Sequence, residues 1–334
     1  MKGLVAVTCL ILLAGPAAAG GGHAGEWIEL PALNFARQES GTAVLDGVVY
    51  IIGGLIIRPG QPTTDTVETW RSGDAAWSFA PDLPEAVDHP AVAVHGGEIW
   101  VLGGERQQLP TTHVQIFDGS AAEWRLGPPL PEARSAGAAA SLNGRLYYFG
   151  GIDGDRVETA VPLVLEPGAT EWTELEPMSL ARDHLSAVTL GEAIYVTGGR
   201  LGFISRDVHE RWSPEPASWT TLDPVPTARS AAGAAALGGL LWVGGGEFPG
   251  VFGEHEVYDP ATGTWQVAPS LPVPRHGTQP VAIDGMIAWP GGGVEAGFMP
   301  TDRVDAFVPD RIFGDGFELG NTSLWSSTLE GGSP

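Results

Sequence analysis

The sequence predicts an all-β protein folded as a six-bladed propeller, and three observations carry that expectation. Trp27, Trp77, Trp124, Trp172, Trp219 and Trp265 recur at intervals of 46–50 residues. A glycine run keeps the same beat at Gly53-Gly54, Gly103-Gly104, Gly150-Gly151, Gly198-Gly199, Gly244–Gly246 and Gly291–Gly293. Ahead of each run stand two short β-rich stretches joined by a two-residue turn: Asp46-Gly47, Gly96-Gly97, Asn143-Gly144, Gly191-Glu192, Gly238-Gly239 and Asp284-Gly285. Gly, Asn and Asp tolerate the positive φ of primed hairpin turns. Four-stranded units of this length cannot close a core alone and bury their faces by packing radially as blades.

The chain opens with a charged Met1-Lys2, a short apolar run from Leu4 to Leu13 and the small residues Gly15–Ala19. This is the pattern of a secretory signal over residues 1–19, too short to span a bilayer. Cleavage near Ala19 would remove Cys9, the single cysteine. The mature chain then offers no disulfide, no thiolate nucleophile and no Cys-ligated metal. The expectation is a secreted or periplasmic bacterial protein with no further segment of membrane-spanning length.

The propeller is expected over residues 26–310. Glu26–Pro31 has an outer-strand pattern but no preceding partners, whereas Gln279–Pro309 supplies three strands and lacks a Trp-bearing fourth. The two ends complete one blade only if the N-terminal strand joins the C-terminal one, which removes an exposed sheet edge. Within each unit the first strand is small, as in Ser135–Ala140, Ser230–Ala236 and Pro90–Val94, which suits strands converging on an axis. The Trp falls on the outermost strand, where blades diverge and bulk must fill the gap. Seven residues before it stands Trp70, Phe117, Leu165, Trp212 or Tyr258, opening a second hairpin. Residues 311–334 fall outside the period and read as a polar, partly disordered tail.

Composition narrows the partners. The formal net charge is −23, from 17 Lys plus Arg against 40 Asp plus Glu, which excludes a general nucleic-acid or anionic-membrane binder. Gly and Pro are abundant at 48 and 28, yet 43% hydrophobic content and 12 Trp exclude a low-complexity disordered chain.

The run Arg229…Gly244-Gly245…Glu256-Val-Tyr-Asp259…Trp265, repeated in phase six times, resembles the kelch repeat. The resemblance covers about residues 26–310 and implies a six-bladed kelch β-propeller. It does not imply one activity, because kelch propellers include adaptor domains, sugar-related bacterial enzymes and copper oxidases. The copper-oxidase branch needs a Tyr–Cys cofactor, which a cysteine-free mature chain cannot form.

Function is expected on the face where inter-blade loops and post-glycine loops converge. Arg37, Arg134, Arg182, Arg229 and Arg275 occupy one inter-blade position, with Val87 in the sixth. Two readings stand open. Convergent guanidiniums hold carboxylate or phosphate by bidentate bonds; alternatively the arginines tie blades together through Glu68, Glu210, Glu256 and Asp305. Phe203, Phe248, Phe252 and Phe298 lie in the post-glycine loops of neighbouring blades and would form an apolar wall, or pack on one another. The expected role is an Arg-lined face binding a small acidic sugar or a partner peptide, with no cofactor, no catalytic residue and no metal assigned. The alternative is an enzyme resembling the bacterial kelch sialic acid mutarotases, and a third reading is a purely structural interaction module. Asp88-His89, Asp183-His184 and His276 are acid–base residues beside the channel, but neighbouring side chains on a strand diverge, which argues against dyads. No nucleophile elbow, phosphate loop or spaced His/Cys cluster is present.

Overall fold

The computed structural model describes residues 22–310, so the secretory signal expected over residues 1–19 and the tail expected over 311–334 lie outside the described residues. Six four-stranded antiparallel blades are present. Blade 1 comprises Gly41–Leu45, Val48–Ile52, Val67–Trp70 and Ser78–Ala80. Blades 2 to 5 repeat this meander from Ala91, Ala138, Asp183 and Gly233. Blade 6 takes Val281–Ile283, Met286–Pro290 and Val304–Pro309 from the C-terminal end and its outer strand, Gly25–Leu30, from the N-terminal end. That strand pairs in register from Gly25↔Pro309 to Leu30↔Val304, as the unpaired sequence pattern at each end demanded.

The hairpin turns follow residue chemistry. At Asp46-Gly47 and Asn143-Gly144 both residues have positive φ, 51° and 70° in the first and 53° and 75° in the second. These values suit a type I′ turn, whose twist matches the flanking strands. The inner strands adjoin one another around the axis, and six apolar clusters fill the six gaps between neighbouring blades.

Two rings of hydrogen bonds join the blades. In the outer ring each periodic Trp donates its indole N–H to a carbonyl just after the previous blade's outer strand. Trp77 bonds Pro31 at 2.8 Å, Trp124 bonds Pro81 at 2.9 Å and Trp27 closes the circle on Pro269 at 3.0 Å. The same contact recurs at Trp172, Trp219 and Trp265. The tryptophans are therefore latches as well as wedges. In the second ring one glycine of each run, Gly54, Gly104, Gly151, Gly199, Gly246 or Gly292, donates to the carbonyl of the next blade's inter-blade residue, for example Gly104 to Arg134 and Gly246 to Arg275, both at 2.8 Å. A side chain has no room here: a Cβ on Gly103 would stand 2.2 Å from the Arg134 carbonyl oxygen.

His209 and His255 occupy equivalent places at the start of the third strand, where other blades carry Val67, Val114, Leu163 and Val304. Both are buried, and each bonds a backbone carbonyl through Nδ1, His209 to Asp223 and His255 to Pro269. Burial pulls His209 down to about 4 and His255 down to about 3, against the pull of those carbonyls. The unfolded chain takes these protons near the ordinary imidazole value and the folded chain does not. Stability is thus full above about pH 6.5 and falls as pH drops toward 4 and 3, by on the order of 2–3 kcal/mol per histidine at pH 4.5. A His209→Leu/His255→Leu variant should show a much smaller fall in melting midpoint between pH 7.5 and 4.5 than the wild type. An equal fall in both would exclude these imidazoles as the cause.

Candidate functional site

Two residues beyond each inter-blade position the chain takes the left-handed conformation, at Glu39, His89, Ala136, His184, Ala231 and Gly277, with φ between 49° and 59°. These six residues form a third ring. The amide of His89 donates to the Glu39 carbonyl, Ala136 to His89, His184 to Ala136, Ala231 to His184, Gly277 to Ala231 and Glu39 to Gly277, at 2.7–3.0 Å. The collar closes on itself around the channel axis. Left-handed backbone is costly for non-glycine residues and persists where surrounding bonds enforce it.

The collar crowns a cavity of about 180 Å³, and all six of its residues line it. Below, Val92, Ala138, Ala139, Ala187, Ala232 and Val281 make an apolar wall, with Ser40, Thr42, Ser186, Thr278 and Gln279 among them. The small-residue strands foreseen for the axis are thus the walls of the cavity. Ser40 Oγ is buried there without a hydrogen-bond partner.

Three of the six collar side chains are ionisable, and they meet: Glu39, His89 and His184 each place one donor atom within 4.8 Å of the others. His89 Nε2 lies 3.7 Å from Glu39 Oε2, and the two imidazoles stand edge to face at 5.2 Å. The expectation that Asp88-His89 and Asp183-His184 diverge is corrected. The left-handed φ turns each ring back onto its neighbour, so His89 Nδ1 lies 2.6 Å from Asp88 Oδ1 and His184 Nδ1 lies 2.5 Å from Asp183 Oδ1. Asp183 also accepts from Arg200 Nε at 2.8 Å, and Arg200 Nη1 reaches Glu247 at 3.0 Å.

Electrostatics polarise the group. Burial alone would raise Glu39, but the imidazoles of His89, His276 and His184 outweigh it and hold the carboxyl far below its usual range. Burial likewise opposes charge on His89, yet the Glu39 carboxylate and the Asp88 bond raise it to about 9. His276 is raised as well, by Glu39 and Glu247 against burial. Glu39 escaped notice in the sequence, although its place two residues after Arg37 matches those of His89 and His184. The three donors come from blades 1, 2 and 4, so no local spacing reveals them.

No family model matches the chain. Kelch-like protein terF of Aspergillus terreus is 30% identical over 319 residues, covering 85% of this chain and 68% of that protein. The chain belongs to the kelch-repeat family. Human Kelch-like protein 28 is 37% identical over 83 residues, which is 14% of its own length. The solved structure of YjhT superposes with a TM-score of 0.71 at 16% identity, over 81% of this chain and 95% of that one. Among the described residues no helix is long and apolar enough to cross a membrane.

The kelch geometry corrects the arginine-lined mouth. Arg37, Arg134, Arg182, Arg229 and Arg275 are 0–1% exposed and line no part of the cavity. Each donates to a glycine carbonyl in its own blade's run, Gly53, Gly150, Gly198, Gly245 or Gly291, as Arg229 does to Gly245 at 2.9 Å. Four lie against the acids foreseen for blade-tying: Glu68, Glu210, Glu256 and Asp305. Blade 3 carries Val164 at that place, and Arg134 uses the exposed Glu132 instead. Where Val87 replaces the arginine, Gln115 replaces the acid. Burial lowers the affinity of Arg37, Arg182, Arg229 and Arg275 for their proton, bringing Arg275 to about 10.

The phenylalanine wall is corrected too. Phe203, Phe248, Phe252 and Phe298 do not line the cavity. Phe203 and Phe248 pack together at 5.8 Å with the Arg200 guanidinium over both rings. Phe252 covers Arg229, and Phe298 stands half exposed on the rim.

Proposed function

We propose that this is an exported kelch-repeat binding protein that takes a small polyhydroxylated ligand, of monosaccharide size and class, at the mouth of its central channel. One observation carries the reading: the cavity under the collar combines a charged mouth of Glu39, His89 and His184 with an apolar floor and hydroxyl-bearing walls. Few, convergent polar groups over an apolar surface are the usual make-up of a small-molecule site. A cavity near 150 Å³ holds a benzene ring, so about 180 Å³ suffices for one small ring.

The test is a thermal-shift and calorimetric screen with neutral and acidic monosaccharides. A binder at one hundred times its dissociation constant adds about 2.7 kcal/mol, several degrees in midpoint. The shift should vanish in Glu39→Ala and in Ala187→Leu, which fills the cavity, and survive in the surface variant Arg125→Ala. A wild type that responds to no sugar would end the proposal.

A second reading is favoured by the pairing of an ionised Glu39 with a protonated His89 facing one cavity at 3.7 Å. Such a pair can take the proton of an anomeric hydroxyl and give one to the ring oxygen, opening the sugar as a mutarotase does. Anomeric exchange followed by NMR separates the readings: accelerated exchange that is lost in Glu39→Gln makes the site catalytic, and none leaves it a binding site.

A further inference from the structure

We propose that Glu39, His89 and His184 hold one divalent first-row transition-metal ion at the channel mouth. Their donor atoms already lie within 4.8 Å of one another, brought there by three different blades. In each imidazole Nδ1 is taken by the preceding aspartate, Asp88 at 2.6 Å and Asp183 at 2.5 Å, which leaves Nε2 to face the metal, with Arg200 Nη2 3.4 Å from that of His184 and displaced from it on binding. A carboxylate behind a histidine in this way fixes the ring and raises the basicity of the nitrogen that faces the metal. Two imidazoles and one carboxylate make a three-donor set whose remaining positions open onto the cavity.

Three independent features support the assignment. First, the carboxylates of Glu39, Asp88, Glu105, Asp183 and Glu247 surround the two imidazoles, with the guanidinium of Arg200 among them. A dication offsets part of that crowded negative charge. Second, His276 is 1% exposed and its Nδ1, without a hydrogen-bond partner, lies 3.4 Å from Glu39 Oε1 and 3.5 Å from Glu247 Oε2, whereas His89 Nε2 is near the other Glu39 oxygen, Oε2. Third, the Glu39 carboxylate occupies the space that any side chain on Gly277 would need, since a Cβ there would lie 2.2 Å from Oε1. The collar bonds fix all three backbones, so the donors need no ordering on binding. A rival group, Asp88, His89 and Glu105, would use the aspartate that orients His89 and offers one imidazole in place of two. The imidazoles select zinc, iron, cobalt or nickel over magnesium and calcium.

The site is independent of the sugar reading, because it is tested with metal alone. The full chain, stripped by chelator, is titrated with Zn²⁺ by calorimetry and with Co²⁺ by visible absorption. One ion per chain is expected, with visible Co²⁺ bands characteristic of nitrogen and oxygen ligands and no competition from Mg²⁺. His184→Ala places at the collar the side chain that Ala136 and Ala231 already carry in equivalent positions. It should fold as the wild type does and bind Zn²⁺ at least 100-fold more weakly. Asp183→Asn, one bond removed from the metal, should weaken binding about 10–100-fold. Absence of saturable one-to-one binding in the wild type overturns the proposal. So does a His89→Ala/His184→Ala variant that binds Zn²⁺ as tightly as the wild type.

Discussion

Arg229→Ala should destabilise the propeller by about 3–5 kcal/mol, the cost of leaving one member of a buried ion pair without its partner. Arg229 is fully buried and Glu256 is 4% exposed, with Nη2 and Oε2 2.5 Å apart. The guanidinium also satisfies the carbonyls of Gly245 at 2.9 Å and Glu254 at 2.8 Å. Its removal orphans the Gly245 carbonyl and leaves the Glu256 carboxylate with only Thr227 Oγ1 still donating to it, while the Glu254 carbonyl keeps the Gly245 amide at 3.1 Å. In a domain of this size the melting midpoint should fall on the order of 10 °C. Replacing both partners, Arg229→Met with Glu256→Leu, should recover most of the loss, because the cost lies in the unpaired charge and not in the absence of the pair. Arg134→Ala should cost clearly less, since its partner Glu132 is half exposed and water replaces the lost bond. Equal midpoints for Arg229→Ala and the wild type would mean that the buried pair is not formed in solution.

Removing the residues before Pro31 should have the larger effect. The strand Gly25–Leu30 contributes six paired positions to blade 6, and Trp27 packs against Trp289, Phe307 and His255. A Trp lost from such a site costs about 3–5 kcal/mol before any ladder bond is counted. The truncated chain also presents Val304–Pro309 as a bare edge, and bare edges pair with other chains. The expected result is loss of the single cooperative melt and concentration-dependent oligomers in light scattering. A monomer melting within a few degrees of the full chain would show that the ring does not depend on its N-terminal latch.

The outcome at the site shows where reading residues in order stops working. Arg37, Arg182, Arg229 and Arg275 were recognisable as a periodic set, and their acids Glu68, Glu210, Glu256 and Asp305 could be named beside them. Which way the guanidiniums point was not recognisable, because that depends on φ at the next residues and on which carbonyls the blade leaves open. His89 and His184 were visible as Asp-His pairs, but an extended backbone would have sent the two side chains apart. Only the closed collar forces the left-handed turn that joins them.

Periodicity alone determined the number of blades, their strands, the hairpin turns and the closure between Gly25–Leu30 and Val304–Pro309. Each of these follows from local preference and from a core that one repeat cannot bury by itself. The tertiary structure decided the rest. It turned the arginines inward and made the tryptophans latches, and it assembled Glu39, His89 and His184 from positions 50 and 95 residues apart. The physical reason is that six-fold closure sets distances across the axis, and those distances belong to the ring and not to any stretch of chain.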